Sequence, residues 1–206
     1  MKTIILFTVL IFCSLSLKAQ SESNSEESKF RFGFNLGANY SMIKPVNTPT
    51  ANYEISNGIG YNLGVLMDYS VTDNFIISPK TELAIHNSSM EFRNNSNGSS
   101  YSYKILPISL NVMTHFKYKI TGKKHIPYIF VGPNLKLPLS RNPTINTAYK
   151  TSYDIALDFG IGLENKVKNF IFAPELRYSY GLLNINGNPS LKGLKLHSIS
   201  LVLNFT

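Results

Sequence analysis

Three residues in one short stretch have the types that nucleophilic catalysis requires. His86 and Ser88 would share one face of a strand, and Glu91 follows three residues later. A histidine can act as the base, a serine as the nucleophile and a carboxylate as the group that orients the histidine. The spacing therefore supports one hypothesis, a lipid-modifying hydrolase centred on His86 and Ser88.

Charged side chains form a second candidate set, spread along segments in which polar and apolar residues alternate. A period of two puts these charges together on one face of a β-strand. Pairing across two predicted turns places Asp68 close to Lys80 and Asp158 opposite Arg177. The residues that would share this face are Asp68, Lys80, Glu82, Asp158, Glu175 and Arg177.

Residues suited to metal, cofactor or thiolate chemistry are scattered or few. The four histidines lie far apart, without the close spacing that favours a zinc site. Cys13 is the only cysteine, and the sequence contains no glycine-rich phosphate loop. We therefore expect no metal, no cofactor and no enzymatic activity, with the hydrolase as the alternative.

The elements that would position these charges begin with an unusually long strand. Apolar residues occupy every even position of Phe30–Met42, and polar residues or glycine occupy the odd positions. At about 3.3 Å per residue and a tilt of about 40°, this run would rise roughly 33 Å, enough to cross a bilayer core. Strands in small soluble domains usually stop after about five or six residues. The pattern therefore predicts a membrane-spanning strand.

Seven further segments continue the pattern. The eight predicted strands are Phe30–Met42, Gly58–Ser70, Phe75–His86, Tyr103–Tyr118, Pro127–Leu137, Tyr153–Glu164, Phe170–Leu182 and Leu194–Thr206. Apolar residues such as Leu106 are assigned to an outward face, whereas the facing of the fifth strand stays open because both of its faces are apolar. The sequence therefore predicts an all-β fold, an eight-stranded antiparallel up-and-down transmembrane β-barrel over residues 30–206.

The connections between these strands alternate between long and short. Outer-membrane barrels have this asymmetry, with short periplasmic turns and longer external loops. Loops on a rigid scaffold often carry binding function, so these segments are candidates for contact with partners or for a solvated rim. The predicted external loops are 44–57, 87–100, 138–151 and 183–192.

Closing eight strands turns the charged face into a lumen just wide enough for side chains to fill. Buried charges need partners, because an unpaired charge in a dry interior is costly. We therefore interpret the six charged residues as a lumen charge network that plugs the barrel. A narrow proton or ion channel is the alternative interpretation.

The N-terminus carries the features of an export signal. A positive start is followed by the apolar run Ile4–Leu17, and the small residue Ala19 precedes Gln20. This pattern predicts a signal peptide over residues 1–19, cleaved between Ala19 and Gln20, and then a flexible periplasmic leader over 20–29. The protein would thus be exported through the inner membrane and reside in the cell outer membrane.

Several segments together resemble the PorT-like family of small outer-membrane β-barrels. The resemblance rests on Ala19–Gln20, on the glycine-rich first strand and on the runs at 103–110, 127–133, 158–164 and 172–178. It covers essentially the whole mature chain and implies an eight-stranded barrel in the outer membrane. The member that names the family is linked to protein secretion across that membrane. The resemblance therefore implies a structural or interaction component that supports secretion.

Charge and location together indicate the classes of partner. The net charge is +8, but no basic run is longer than Lys123–Lys124, so nucleic acid is not an expected partner. A basic protein in a membrane suits anionic lipid head groups. The expected partners are outer-membrane lipid and lipopolysaccharide, the barrel-assembly machinery and secretion-system proteins.

Overall fold

The computed structural model describes residues 29–46, 53–93, 100–120, 125–139, 152–186 and 193–206. The predicted signal peptide and most of the predicted leader lie outside these residues. The strands are β1 (Phe30–Pro45), β2 (Tyr53–Ser56), β3 (Gly58–Ser70), β4 (Phe75–Ile85), β5 (Ser89–Arg93), β6 (Ser100–Lys104), β7 (Ile108–Lys119), β8 (Ile126–Pro138), β9 (Asp154–Val167), β10 (Phe170–Gly181) and β11 (Leu194–Phe205).

Eight of these strands close into a barrel in the order β1-β11-β10-β9-β8-β7-β4-β3. Every neighbouring pair is antiparallel, and the ring is closed by the first and last strands, with Phe34 opposite Phe205. Closure leaves the barrel sheet without a free edge, which is what a β-structure in lipid requires. The predicted eight-stranded antiparallel barrel is confirmed.

The two faces of the wall differ as the alternation predicts. Along β1, the outward-facing Phe32 is 69% exposed, whereas the inward-facing Asn35 is fully buried. Apolar residues predominate on the outward face of all eight strands, and polar or small residues predominate on the inward face. No helix in the described part of the chain is long and apolar enough to cross a membrane.

The facing of β8, which the sequence leaves open, is decided by its neighbour β9. Ile129 lies outward at 56% exposure, whereas Tyr128 and Phe130 are buried in the lumen. These two rings lie opposite Gly162 and Gly160, and a Cβ on either glycine would overlap the facing ring. The glycines on β9 therefore provide the space that turns the aromatic side of β8 inward.

Two predicted loops contain strands that the sequence analysis missed. Within the predicted loops 44–57 and 87–100 lie the end of β1, all of β2 and β5, and the first residue of β6; β2, β5 and β6 form a separate three-stranded sheet. The short polar run Ser89–Arg93 has few β-branched residues to mark it as a strand. This sheet continues β3, β4 and β7 beyond the barrel, on the side of the long connections.

The fourth predicted strand, Tyr103–Tyr118, is wrong as a single strand. It is divided at Ile105–Pro107, and Leu106 has a φ of 45°, which is uncommon for a residue other than glycine. Pro107 has no backbone N–H to continue a ladder. Leu106 was predicted to face outward, but it is fully buried at the mouth of the barrel. Burial of this apolar side chain offsets the cost of the bend.

Candidate functional site in the lumen

The centre of the lumen is crossed by two ion pairs that join opposite walls. β4 and β10 are four places apart in a ring of eight strands, which makes them diametrically opposite. Arg177 on β10 donates to both carboxylate oxygens of Glu82 on β4, at 2.9 and 2.6 Å. Lys80 on β4 donates to Glu175 on β10 at 2.8 Å. Side chains therefore span the full diameter of the barrel at two levels.

Further contacts hold the Lys80–Glu175 pair in place. The hydroxyl of Tyr128 donates to Glu175 at 2.9 Å, and Lys80 also donates to the side-chain oxygen of Asn204 at 3.2 Å. Lys117 lies between two carboxylates, 3.1 Å from Asp68 and 3.5 Å from Glu175. All four charged groups, Lys80, Glu175, Lys117 and Asp68, are thus linked into one continuous cluster rather than forming isolated pairs.

The Arg177–Glu82 pair has its own set of supporting contacts. Asn35 on β1 donates to Glu82 at 3.0 Å, and Nη1 of Arg177 lies 3.1 Å from the sulfur of Met113. A bidentate contact between a guanidinium and a carboxylate is among the strongest polar interactions in proteins. This pair is therefore the best-formed polar contact across the lumen.

The polar side chains continue along the lumen towards the long connections. The imidazole of His115 lies 3.2 Å from Asp158, which also accepts a hydrogen bond from Asn134 at 2.9 Å. Lys136 and Asp154 form a looser pair at 3.7 Å. Towards the end of the barrel with the short turns, Arg31 and Lys119 both contact Glu164; these two contacts measure 3.2 and 2.6 Å.

Opposite charges in the described part of the lumen are balanced. The ion pairs there join five carboxylates to six lysine or arginine side chains, and a sixth carboxylate, that of Asp158, is paired with His115. All six residues of the predicted lumen charge network are buried in this cluster. They are Asp68, Lys80, Glu82, Asp158, Glu175 and Arg177.

The pairs predicted within this network differ from those in the structure. Asp158 was predicted to lie opposite Arg177, but it lies opposite Ser179, and Arg177 lies opposite Gly160. The connection between β9 and β10 has only two residues, 168–169, rather than the five assumed, and turn length sets the register of a hairpin. A shift of two residues keeps every side chain on its predicted face and changes only its partner.

Asp68 was predicted to lie close to Lys80, and the structure joins each of these two side chains to a different ion-pair partner. Lys80 lies opposite Leu66 on β3, and its carboxylate partner comes from across the barrel. Asp68 is instead paired with Lys117, two strands away in the ring. Pairing within a hairpin is the only pairing that adjacent sequence can suggest, whereas barrel closure brings distant strands together.

An apolar cluster, which we call the apolar cap, fills the end of the lumen where the long connections emerge. It is formed by inward-facing residues at the ends of β1 and β11, by the bend before β7 and by residues of β5 and the β10–β11 connection. Ile55 and Tyr103 pack against it from the three-stranded sheet. Its buried members are Ile43, Met90, Ile105, Leu106, Ile185, Leu194 and Leu196.

The candidate catalytic trio is not brought together. His86 is buried beyond the end of β4, where its ring nitrogens lie 2.7 Å from the hydroxyl of Ser41 and 3.4 Å from that of Ser109. The buried hydroxyl of Ser88 has no hydrogen-bond partner in the described residues. Glu91 lies on β5, opposite Glu54 and Ser102. Burial and the nearby charge of Lys136 lower the pKa of His86 to about 3, so this imidazole is neutral at physiological pH.

No cluster of three or more metal-ligating side chains occurs among the residues that the structure describes. What the site can do chemically follows from its pairing. The charged side chains at its centre are already paired with opposite charges, and two of these pairs cross the bore. The paired residues are Asp68, Lys80, Glu82, Lys117, Glu175 and Arg177. The arrangement joins opposite walls of the barrel to one another.

A closed antiparallel barrel with an apolar exterior and a charge-filled lumen defines a small outer-membrane-type β-barrel. The sequence model of the outer membrane protein beta-barrel domain matches residues 18–187. The chain belongs to that family, and it is an outer-membrane protein.

A comparison with solved structures found similarity to three outer-membrane proteins, among others. Neisserial surface protein A has 13% sequence identity and a TM-score of 0.50, with 85% of this chain and 97% of that one covered. OprG from Pseudomonas aeruginosa has 15% identity and a TM-score of 0.48, covering 85% and 92%. AlkL, solved in lipid bilayers, has 14% identity and a TM-score of 0.43, covering 91% and 93%. A comparison with curated proteins found no match. The likeness to Neisserial surface protein A shows the fold alone.

Proposed function

We propose that this protein is a non-enzymatic interaction component of the outer membrane that supports protein secretion across it. One observation carries the first part of this proposal. Arg177–Glu82 and Lys80–Glu175 each cross the full diameter of the lumen, which leaves the bore to side chains rather than to a solute. We therefore assign the interaction role to the outer surfaces of the barrel and its connections.

Two features support a role in interaction. The sheet of β2, β5 and β6 extends three barrel strands beyond the membrane and is anchored to the barrel by the apolar cap. A scaffold of this kind holds external segments at a fixed position, where they can meet a partner. The resemblance of the sequence to the PorT-like family supports secretion as the process served.

The path to the membrane is part of the same proposal. A signal peptide over residues 1–19, cleaved between Ala19 and Gln20, would export the chain through the inner membrane. The barrel-assembly machinery would then insert it, with the termini in the periplasm and the long connections outside. Its remaining partners would be lipopolysaccharide and proteins of the secretion system.

Burial of the candidate catalytic residues supports a non-enzymatic role. A lipid-modifying hydrolase needs its nucleophile and base where an acyl chain can reach them, whereas His86 and Ser88 face the interior. We expect a His86→Ala strain to have the lipid profile of its parent. Loss of one modified lipid species in that strain, restored by the wild-type gene, would contradict this part of the proposal.

The secretion role is tested by comparing the proteins released by a deletion strain, its parent and the complemented strain. We expect the deletion to lose a whole class of exported cargo, and the wild-type gene to restore it. An unchanged set of secreted proteins would contradict the secretion role. A surface receptor or scaffold would then be the function to test next.

A further inference from the structure

The lipid-facing surface of the barrel carries charge at one place. By the alternation of the eight barrel strands, the outward lysine and arginine side chains in their described residues are Lys44 on β1 and Lys195 on β11. The outward face of these strands has no carboxylate. Lys44 is exposed and Lys195 is half-buried, and no ion pair joins either of them to a carboxylate in the described part of the chain.

The two lysines are direct cross-strand neighbours. Lys44 lies opposite Lys195 in the β1–β11 ladder that closes the barrel. Like charges directly opposite each other on one face of a sheet destabilise it. Pairing continues beyond them, where the backbone N–H of Val46 donates to the carbonyl of Gly193 at 2.8 Å. The strands therefore hold two positive charges together on a rigid support, an arrangement that an anion would stabilise.

The height of the pair on the barrel identifies where such an anion would lie. Phe30 and Tyr40 are the first and last outward aromatic residues of β1. At a tilt of about 40° they are separated by roughly 25 Å, the height of a barrel's apolar band. Lys44 lies four residues beyond Tyr40, about 10 Å further along the same direction. The lysines therefore lie at the level of the lipid head groups, on the side of the long connections.

Aromatic side chains lie directly beneath the lysines. His197 is the next outward residue of β11 after Lys195, and its ring centre is 4.6 Å from that of Tyr180 and 6.2 Å from that of Tyr178. Rings of this kind mark the boundary between hydrocarbon and head groups in membrane barrels. The surface thus changes from apolar, through aromatic, to positive over a few residues, as an anionic lipid requires.

We propose that Lys44 and Lys195 bind a phosphate group of lipopolysaccharide in the outer leaflet. The lysines supply the charge for the phosphate, and the aromatic and apolar residues below them contact the acyl chains. This assignment rests on the proposed orientation of the barrel and names the site of a proposed partner. It does not depend on the secretion role, because binding is measured on the purified protein.

The test compares variants of the full mature chain, folded in a zwitterionic detergent, for binding to lipid A that carries two phosphates. K44Q/K195Q removes the proposed site, and K44R/K195R keeps its charge. K29Q/K168Q removes two charges at the periplasmic end and serves as the matched control. Affinity is measured by native mass spectrometry, and the unfolding temperature is recorded with and without lipid.

We expect K44Q/K195Q to bind this lipid roughly thirtyfold more weakly, the effect of two lysines that each act as they do at an anionic membrane surface. K44R/K195R and K29Q/K168Q should stay within about twofold of the wild type. Lipid A without phosphates should bind all variants alike. In the absence of lipid, K44Q/K195Q should unfold at the same or a higher temperature, because the like-charge repulsion is gone.

Wild-type affinity in K44Q/K195Q would overturn the proposal. The same conclusion would follow if K29Q/K168Q lost as much affinity, since net charge alone would then explain binding. Displacement of the lipid by millimolar inorganic phosphate would show a site for free anions and would overturn the assignment to lipid. Loss of secretion in the deletion strain, together with intact lipid binding by K44Q/K195Q, would overturn this site and leave the proposed function standing.

Discussion

Arg177 shows at the level of one residue how the lumen is held together. Its guanidinium is buried and makes two short hydrogen bonds to Glu82 on the opposite wall. Replacing such a buried pair with apolar residues is often tolerated, whereas removing one partner leaves an uncompensated charge. The pair is therefore a sensitive reporter of whether the lumen is packed and dry.

Arg177→Gln should lower the free energy of unfolding by about 3–5 kcal/mol, because Glu82 is left buried without its counter-charge. The double variant Arg177→Met/Glu82→Leu should recover much of this loss. The measurement is urea unfolding of the protein in micelles, with the exposed Lys29→Gln as a control that changes stability by less than about 0.5 kcal/mol. A loss no larger than that of the control would mean that water already solvates Glu82 and that the lumen is open.

His86 predicts a dependence of stability on pH. Its pKa is about 3 in the folded protein and 6.5 in an unfolded chain, so the unfolded state binds more protons between these values. The contribution of His86 is therefore fully present above pH 6.5 and is lost as the pH falls towards 3. The comparison is between wild type and His86→Asn, measured as unfolding free energy from pH 7 to pH 4.

We expect the difference in stability between these two proteins to shift towards the variant as the pH falls through this window. The subtraction removes the contribution of the other titrating groups that the two proteins share. A difference that stays constant from pH 7 to pH 4 would contradict the buried, neutral state of His86.

At the level of elements, β8 and β9 fit together because glycines face aromatic rings. A Cβ on Gly162 would overlap the ring of Tyr128, whereas a Cβ on Gly132 would overlap the backbone carbonyl of Thr114. The ring of Tyr128 can be removed by substitution, whereas the backbone carbonyl of Thr114 cannot. The two glycines thus form a matched pair for a test of packing.

Gly162→Ala should cost about 1–3 kcal/mol of stability in the wild type, as overpacking does. In a Tyr128→Ala background the same substitution should cost nothing, since the ring is absent. Gly132→Ala should remain destabilising in both backgrounds. These comparisons form double-mutant cycles, measured by urea unfolding. Equal costs of Gly162→Ala in the two backgrounds would show that Tyr128 does not occupy this space.

Long strands with strict alternation, such as β1 and β3, could be predicted because one face meets lipid and the other meets a polar lumen. The facing of β8 could not, since the space for Tyr128 and Phe130 comes from another strand. The strands β2, β5 and β6 were missed because they have only four or five residues each and lie in or beside segments rich in asparagine, serine and threonine, which favour loops, although polar and apolar residues alternate in all three.

The charge network was predictable as a set but not in its pairs. Parity alone assigns Glu82 and Arg177 to the inward face, and the structure agrees. Their contact depends on which strands lie opposite each other in the closed ring, a property that appears only once all eight strands and their registers are known. The apolar cap was missed for the same reason, because it gathers residues from Ile43 to Leu196.

At the scale of the whole molecule, the lumen of the barrel is filled by two different kinds of contact. Ion pairs cross its centre, and the apolar cap fills the end nearest the long connections. The outward face of the barrel strands is mostly apolar and carries charge at Lys44 and Lys195, which we propose lie at the level of the head groups. On the proposed function, the barrel is a support fixed in the outer membrane, and its surfaces bind the partners.

The conductance of the purified protein in a planar lipid bilayer tests the closed lumen most directly. We expect the wild type to produce no discrete channels, because Arg177–Glu82 and Lys80–Glu175 span the bore. Folded protein recovered from the same bilayers, seen as a band that shifts on boiling, would establish that insertion had occurred. Stable discrete conductance that changes when Arg177 is neutralised would contradict the plug and identify the protein as a narrow channel.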